Sequence, residues 1–148
     1  MTDLLLEKTL SDLEWARIEA AVAGHMKGPT AAGFVLPLAG SREATQVALD
    51  ETGEALAALN LGEPLPLDGI RDIALHLLRV ERHGDLDGPQ LHEVRVTLGA
   101  ARRLRKYLNA RRPSMPRLND ACPIDPSLDR LSDTLDDAFD TEGTLADH

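Results

Sequence analysis

Apolar residues recur along this chain at spacings of three and four, in runs separated by Gly, Pro and Asp, so the pattern predicts a succession of helices. Trp15, Ile18 and Val22 share one face of a helix predicted over 12–26, where Ser11 and Glu14 have the spacing of a capping box and the shared face should enter the core. A shorter helix is predicted over 30–36, stopped by Pro37. Ser41 then caps a helix over 42–60, with Glu43 and Glu51 outward and Val47, Leu49, Ala55, Leu56 and Leu59 available for packing. Gly53 costs that helix about 1 kcal/mol relative to alanine. The segment LGEPLPLDG, residues 61–69, is a loop, and a helix over 70–82 follows it. Asp87 as cap and Pro89 in the first turn begin a long helix over 88–111, along which Leu91, Val94, Leu98, Ala101, Leu104 and Leu108 trace the apolar stripe. A last helix over 126–140 starts at Asp125 and Pro126 and carries Leu128, Leu131, Leu135, Ala138 and Phe139, with a short turn or hairpin as an option in the terminal TEGTLADH.

Composition sharpens the fold class. Aromatic residues make up only 3% of 148 residues, so the core must come from Leu, Ala, Val and Ile, a mix that favours helices over strands. An all-α, irregular bundle of about five to six helices in one domain, residues 1–148, is expected. With a single cysteine, Cys122, no intramolecular disulfide can form, which fits a reducing, cytoplasmic location. The apolar runs are short and the amino terminus MTDLLLEK lacks the pattern of a signal peptide, so no membrane association is expected.

Charge adds a candidate site. The formal net charge is −9, yet the stretch GAARRLRKYLNARR, residues 99–112, holds Arg102, Arg103, Arg105, Lys106, Arg111 and Arg112. An acidic chain can carry a basic face, and these six residues are the candidate nucleic-acid contacts. Two considerations pull the other way: cations near a helix carboxyl end are favoured by its dipole, and Tyr107 is the only ring offered for base stacking. The final helix is acidic, with Asp129, Asp133, Asp136 and Asp137, and its charges can lie beside the basic helix and neutralise it internally.

Catalytic patterns are nearly absent. GPTAAGFV, residues 28–35, has the glycine spacing of a phosphate-binding loop, but Phe34 and Val35 stand where Lys and Ser or Thr must hold phosphate and magnesium. His76 and His83 lie seven apart with Glu81 near, too few ligands for a metal site, while His92 and Glu93 point in different directions on a helix. Asp129 with Asp133 would hold a cation only weakly, Cys122 has no evident histidine partner, and no nucleophile-elbow or His-Glu-x-x-His motif occurs. No cofactor or metal is expected in this chain, and catalysis by it alone is not.

The order of pieces does carry a resemblance. DLEWARIEAAVA, then DETGEALAAL, then LPLDGIRDIALHLLRVERHGDLDGPQLHEVRVTLGAARRLRKYL, and finally LDRLSDTLDDAFDTEGTLADH resemble the amino-terminal region of second-type bacterial MutS proteins, from about Thr9 to the end. The most telling parts are the turn Leu67 to Ile73, the turn His83 to Pro89, the ARRL run at 101–104, and Asp140 to Gly143 followed by Leu145. The resemblance implies a helical region that packs against the core helices of a dimeric, DNA-binding ATPase lacking a mismatch-recognition domain. Family members act on branched recombination intermediates or on collided ribosomes, and many carry a Smr nuclease domain. ATP, magnesium and nuclease chemistry are therefore expected only in a longer MutS-like parent, and branched DNA, ribosomal RNA, the MutS-like core helices and a second subunit are its expected partners. Two hypotheses follow. One makes the chain a non-catalytic module of such a protein, with nucleic-acid contact through 102–112; the other makes it a stand-alone helical protein-interaction module that binds no nucleic acid.

Overall fold

In a computed structural model, residues 2–26, 34–36 and 40–139 are described, and every regular element among them is a helix. The chain forms two compact units, residues 1–38 and 39–148.

The first unit holds α1 (Thr2–Asp12) and α2 (Trp15–His25), which contact each other. Ser11 is not a cap: it lies in the last turn of α1, whose end is closed by Leu13 N donating to Thr9 O and Glu14 N donating to Ser11 O. The break falls at Glu14, which adopts a left-handed backbone (φ 50°) and precedes α2 without a side-chain capping bond. The apolar face of α2 does not become core either. Ile18 and Val22 remain 42% and 36% exposed, and α2 has no buried residue. Residues 34–36 are not helical, so the helix predicted over 30–36 does not include its last three residues, and 30–33 lie outside the described residues. Leu36 N donates to Glu19 Oε1 at 3.0 Å.

The second unit is organised by α5 (Gly88–Ala110), around which α3 (Arg42–Asn60), α4 (Ala74–Glu81), α6 (Pro116–Ala121) and α7 (Leu128–Ala138) are placed. The start of α5 is the reciprocal cap that the sequence predicts: Asp87 Oδ1 accepts from Gln90 N at 2.9 Å and Gln90 Oε1 accepts from Asp87 N at 3.1 Å. Ser41 caps α3 likewise, accepting from Ala44 N at 3.1 Å. Leu104 and Leu108 of α5 pack with Ala58 and Met115 in the main apolar core. The face of α3 that enters this core is centred on Ala58, and Val47, Leu49, Leu56 and Leu59, expected to pack, are exposed instead.

Two elements depart from the sequence pattern for identifiable reasons. α4 begins four residues later than predicted because Arg71 N donates to Thr97 Oγ1 of α5 and Asp72 Oδ1 accepts from Ala74 N, which holds 70–73 out of helix. α6 has no counterpart among the predicted helices; Pro116 sits in its first turn, where its missing amide costs nothing. Its free amides at Arg117 and Leu118 donate to the Glu54 carboxylate of α3, at 3.0 and 2.9 Å. α7 starts at Leu128, two residues past Pro126, and ends at Ala138; residues 140–148, including the proposed terminal turn, lie outside the described residues.

Candidate nucleic-acid interface

The basic run occupies the last three turns of α5 and the residues just after it, and the question is what each cation meets. Positions 95, 102 and 105 fall within one side of a 3.6-residue helix, and 129, 133 and 136 within one side of another. α7 lies antiparallel to α5, so the two rows meet in order. Arg95 Nε pairs with Asp136 Oδ1 at 2.7 Å, Arg102 Nη1 with Asp133, and Arg105 Nη2 with Asp129. Arg102 Nε also lies 3.5 Å from Asp129 Oδ2, near enough for ion pairing but not aligned for a hydrogen bond. The Asp133 hydrogen bond raises the Arg102 guanidinium further above its already high pKa, against the opposing effect of burial.

This ladder is tightened by what lies under it. Ser132, only 2% exposed, is the buried residue of α7, and a side chain that small lets the two helices approach closely. At the far end Phe139 is buried, with the His92 ring edge-on at 5.7 Å and the Arg95 guanidinium 5.3 Å from its centroid. The seam is not saturated. His92 Nδ1, Arg95 Nη1 and Arg105 Nη1 are buried without a hydrogen-bond partner, which raises the cost of burying these groups.

The remaining candidates divide. Arg103 Nη2 donates to Asp68 O at 2.8 Å, fixing the loop before α4 against α5. Gly69 beside it has φ 96°, and a Cβ there would come within 3.3 Å of Arg103 Nη2 and Val96 Cγ1, so both conformation and space call for glycine. Arg111 grips Glu63 Oε2 through Nε and Nη2, at 3.1 and 2.6 Å, and its guanidinium lies 4.1 Å from the Tyr107 ring centroid. Its pKa is raised chiefly by the Glu63 hydrogen bond. Tyr107 itself donates to Glu63 O, so the one ring near the cluster is engaged in holding a loop. Lys106 and Arg112 are exposed at the carboxyl end of α5.

Other candidate groups are also placed. His76 Nε2 lies 2.7 Å from Glu93 Oε2, which ties α4 to α5, whereas His83 adopts a left-handed backbone (φ 60°) where α4 ends. His76 and His83 therefore do not form a common site, and no metal-binding group of three or more His, Cys, Asp or Glu residues occurs among the described residues. Cys122 is half-buried beside the core, and burial, followed by the nearby Glu51, raises its pKa. No helix among the described residues is long and apolar enough to cross a membrane. Residues 28–33 of the glycine-spaced segment lie outside the described residues.

The acid partners are visible in the sequence as an acidic helix, whereas Arg95 lies outside the basic run 99–112. Its signal was the interval of seven residues to Arg102, two helical turns, which puts both on one side of α5. Glu63 gave no local signal, because its contact with Arg111 spans 48 residues.

Among known proteins, the Endonuclease MutS2 of Anaeromyxobacter sp. (strain Fw109-5) is 33% identical over 146 residues, covering 97% of this chain and 18% of its own length. The Endonuclease MutS2 of Geobacillus kaustophilus (strain HTA426) is 36% identical over 103 residues, covering 68% of this chain and 13% of its own. That of Geobacillus thermodenitrificans (strain NG80-2) is 30% identical over 146 residues, with 95% and 19% covered. The chain thus spans less than a fifth of the length of these curated relatives. No protein-family profile matches it, and no solved structure matches it significantly.

Proposed function

Since the chain belongs to the second-type MutS family, we propose that it is a non-catalytic helical module serving the nucleic-acid work of a MutS-like protein, and that α5 acts in it as a strut. The observation that carries this reading is the α5–α7 ladder: Arg102 and Arg105 face aspartates of their own chain, and Arg111 faces Glu63. A cation already satisfied by a carboxylate must give up that pair before it can neutralise a phosphate, which reduces what phosphate contact gains.

The setting is DNA repair and recombination control or ribosome rescue, supported by the relatives named Endonuclease MutS2. Branched DNA or ribosomal RNA would be met by the MutS-like protein as a whole, whose core helices this module packs against. ATP and magnesium belong, in this proposal, to other MutS-like sequence, and the cytoplasm is the compartment. The chain's own residues bind and orient helices.

A second reading rests on Lys106 and Arg112, with Arg103 beside them: these are the exposed cations of the cluster. Under it, phosphate contact is confined to the carboxyl end of α5 and leaves the ladder intact. Fluorescence anisotropy of labelled branched DNA, duplex DNA and structured RNA, at low and moderate salt, tests both. The strut reading predicts no salt-sensitive binding, and charge reversal at Arg102 or Arg105 then lowers thermal stability only. Salt-sensitive binding that Lys106→Glu with Arg112→Glu abolishes, with the fold retained, establishes the second reading. Binding lost on reversal of Arg102 alone, in a folded protein, overturns the strut.

A further inference from the structure

α7 is held on α5 unevenly. Its surroundings are pinned at both ends by apolar contacts: Ile124, ahead of the helix, packs on the main core, and Phe139, just past it, is buried beside His92 and Arg95. Between these pins only Ser132 is buried, while Leu128 and Leu131 stay exposed, so charge more than apolar area closes the middle of the seam. Of the three carboxylates there, Asp129 is mostly covered, whereas Asp133 and Asp136 are 59% and 53% exposed. A competing anion can therefore approach Arg102 and Arg95 from solvent along the edge those two aspartates occupy.

The arginines are also underused. Each forms one hydrogen bond to an aspartate, through Arg95 Nε, Arg102 Nη1 and Arg105 Nη2, although a guanidinium offers five N–H donors. Arg95 Nη1, Arg102 Nε and Arg105 Nη1 are buried without a hydrogen-bond partner, and each such donor costs the fold stability. A phosphate, with oxygens on every side and free to move, can meet more of these donors than a carboxylate fixed to a helix.

We propose that α7 is an autoinhibitory strap. Arg95, Arg102 and Arg105 form a latent phosphate-binding face on α5, and Asp133 and Asp136 of α7 occupy it in place of the phosphates of a nucleic-acid strand. This rests on the strut reading above and adds regulation to it. With the strap closed α5 only braces the fold; with the two exposed aspartates drawn away, the same row turns to nucleic acid. From 95 to 105 the row runs about 15 Å along the helix, and one strand of duplex DNA presents a phosphate about every 3.4 Å of axis. Three arginines can thus meet three phosphates while the pins keep α7 attached.

Fluorescence anisotropy of labelled duplex DNA at low salt, with the full 148-residue chain, tests the strap. Asp133→Asn with Asp136→Asn removes both charges and leaves an amide oxygen to accept from each arginine, so circular dichroism should show folded protein. This double variant should bind at least about tenfold tighter than the parent, with affinity falling steeply as salt rises. Arg102→Gln added to it should remove the gain. Asp120→Asn with Asp137→Asn changes the net charge equally, at exposed positions outside the ladder, and should bind as the parent does. A folded double variant that binds no better than the parent overturns the strap and leaves the strut standing. So does a gain that the control pair reproduces, or one that Arg102→Gln leaves unchanged. A parent that itself binds, and loses binding on reversal of Arg102, overturns strut and strap together. Should the double variant fail to fold, Asp136→Asn alone decides: a smaller gain with the same salt dependence is expected, and no gain overturns the strap.

Discussion

The two sides of α5 hold the second unit together by different means. One side packs Leu104 and Leu108 against Ala58 and Met115, a contact made of shape and apolar area. The other faces α7 with arginines answered by aspartates and a serine beneath them. Apolar packing supplies stability but tolerates a shift of a helix along its axis better than a charge ladder does. A register slip of one turn would leave half-buried charges without partners, and that is the costly event. The contrast teaches that a dense basic run on an acidic chain can be a device for setting helix register.

The comparison can be broken most forcefully on the apolar side. Leu108 is 1% exposed, so Leu108→Ala should lower the unfolding free energy by about 2–5 kcal/mol in urea denaturation, through lost burial and a residual cavity. On the ladder side Arg105→Ala should cost about 1.5–3 kcal/mol, because it leaves Asp129 half-buried without its strongest partner. If the ladder sets register as argued, Arg105→Ala should also broaden the α7 amide signals in a heteronuclear spectrum, which Leu108→Ala should not do selectively.

Cys122 reports on the apolar side by chemistry. Burial raises its pKa, so the thiolate is scarcer at neutral pH than in a free cysteine. Reaction with a disulfide reagent at pH 7.5 should be markedly slower than for the unfolded chain, and Leu108→Ala should accelerate it by opening the core. An equal rate in folded and unfolded protein would mean that this side is not packed.

The smallest effect belongs to the start of α7. Asp125 accepts from Ser127 N at 2.8 Å and from Ser127 Oγ at 2.7 Å, and these bonds hold its carboxyl below the usual range, the side-chain bond first. A group whose folded pKa is depressed stabilises the fold above its unfolded pKa of about 3.9 and loses that contribution as pH falls through the lower, folded value. Asp125→Asn should therefore shift the urea midpoint slightly at pH 7, and the difference from the parent should vanish well below pH 3.9.

How much of this was legible in the sequence depends on whether the cause was local. α3 and α5 could be placed because Ser41, Asp87 and Gln90 act within four residues of themselves. The late start of α4 and the existence of α6 were hidden, since Thr97 and Glu54 supply the deciding hydrogen bonds from 26 and more than 60 residues away. The outward leucines of α3 show the limit of periodicity: a helix with two apolar sides has no unique inward face until its neighbours are known. For the candidate site, both charged runs and the idea that they neutralise each other were readable. Which cation meets which anion was not: the spacings place 95, 102 and 105 on one side of α5 and 129, 133 and 136 on one side of α7, but their unequal intervals do not fix the pairing.

The claim that the α5 cations are held by α7 is tested most directly by a double-mutant cycle at Arg105 and Asp129, read as unfolding free energies in urea for the parent, Arg105→Ala, Asp129→Ala and the pair. Each single change should be costly and the double change less than their sum, giving a coupling of about 1 kcal/mol or more. A coupling near zero would mean that the two side chains are merely neighbours, and the basic run would then be free for a partner outside the chain.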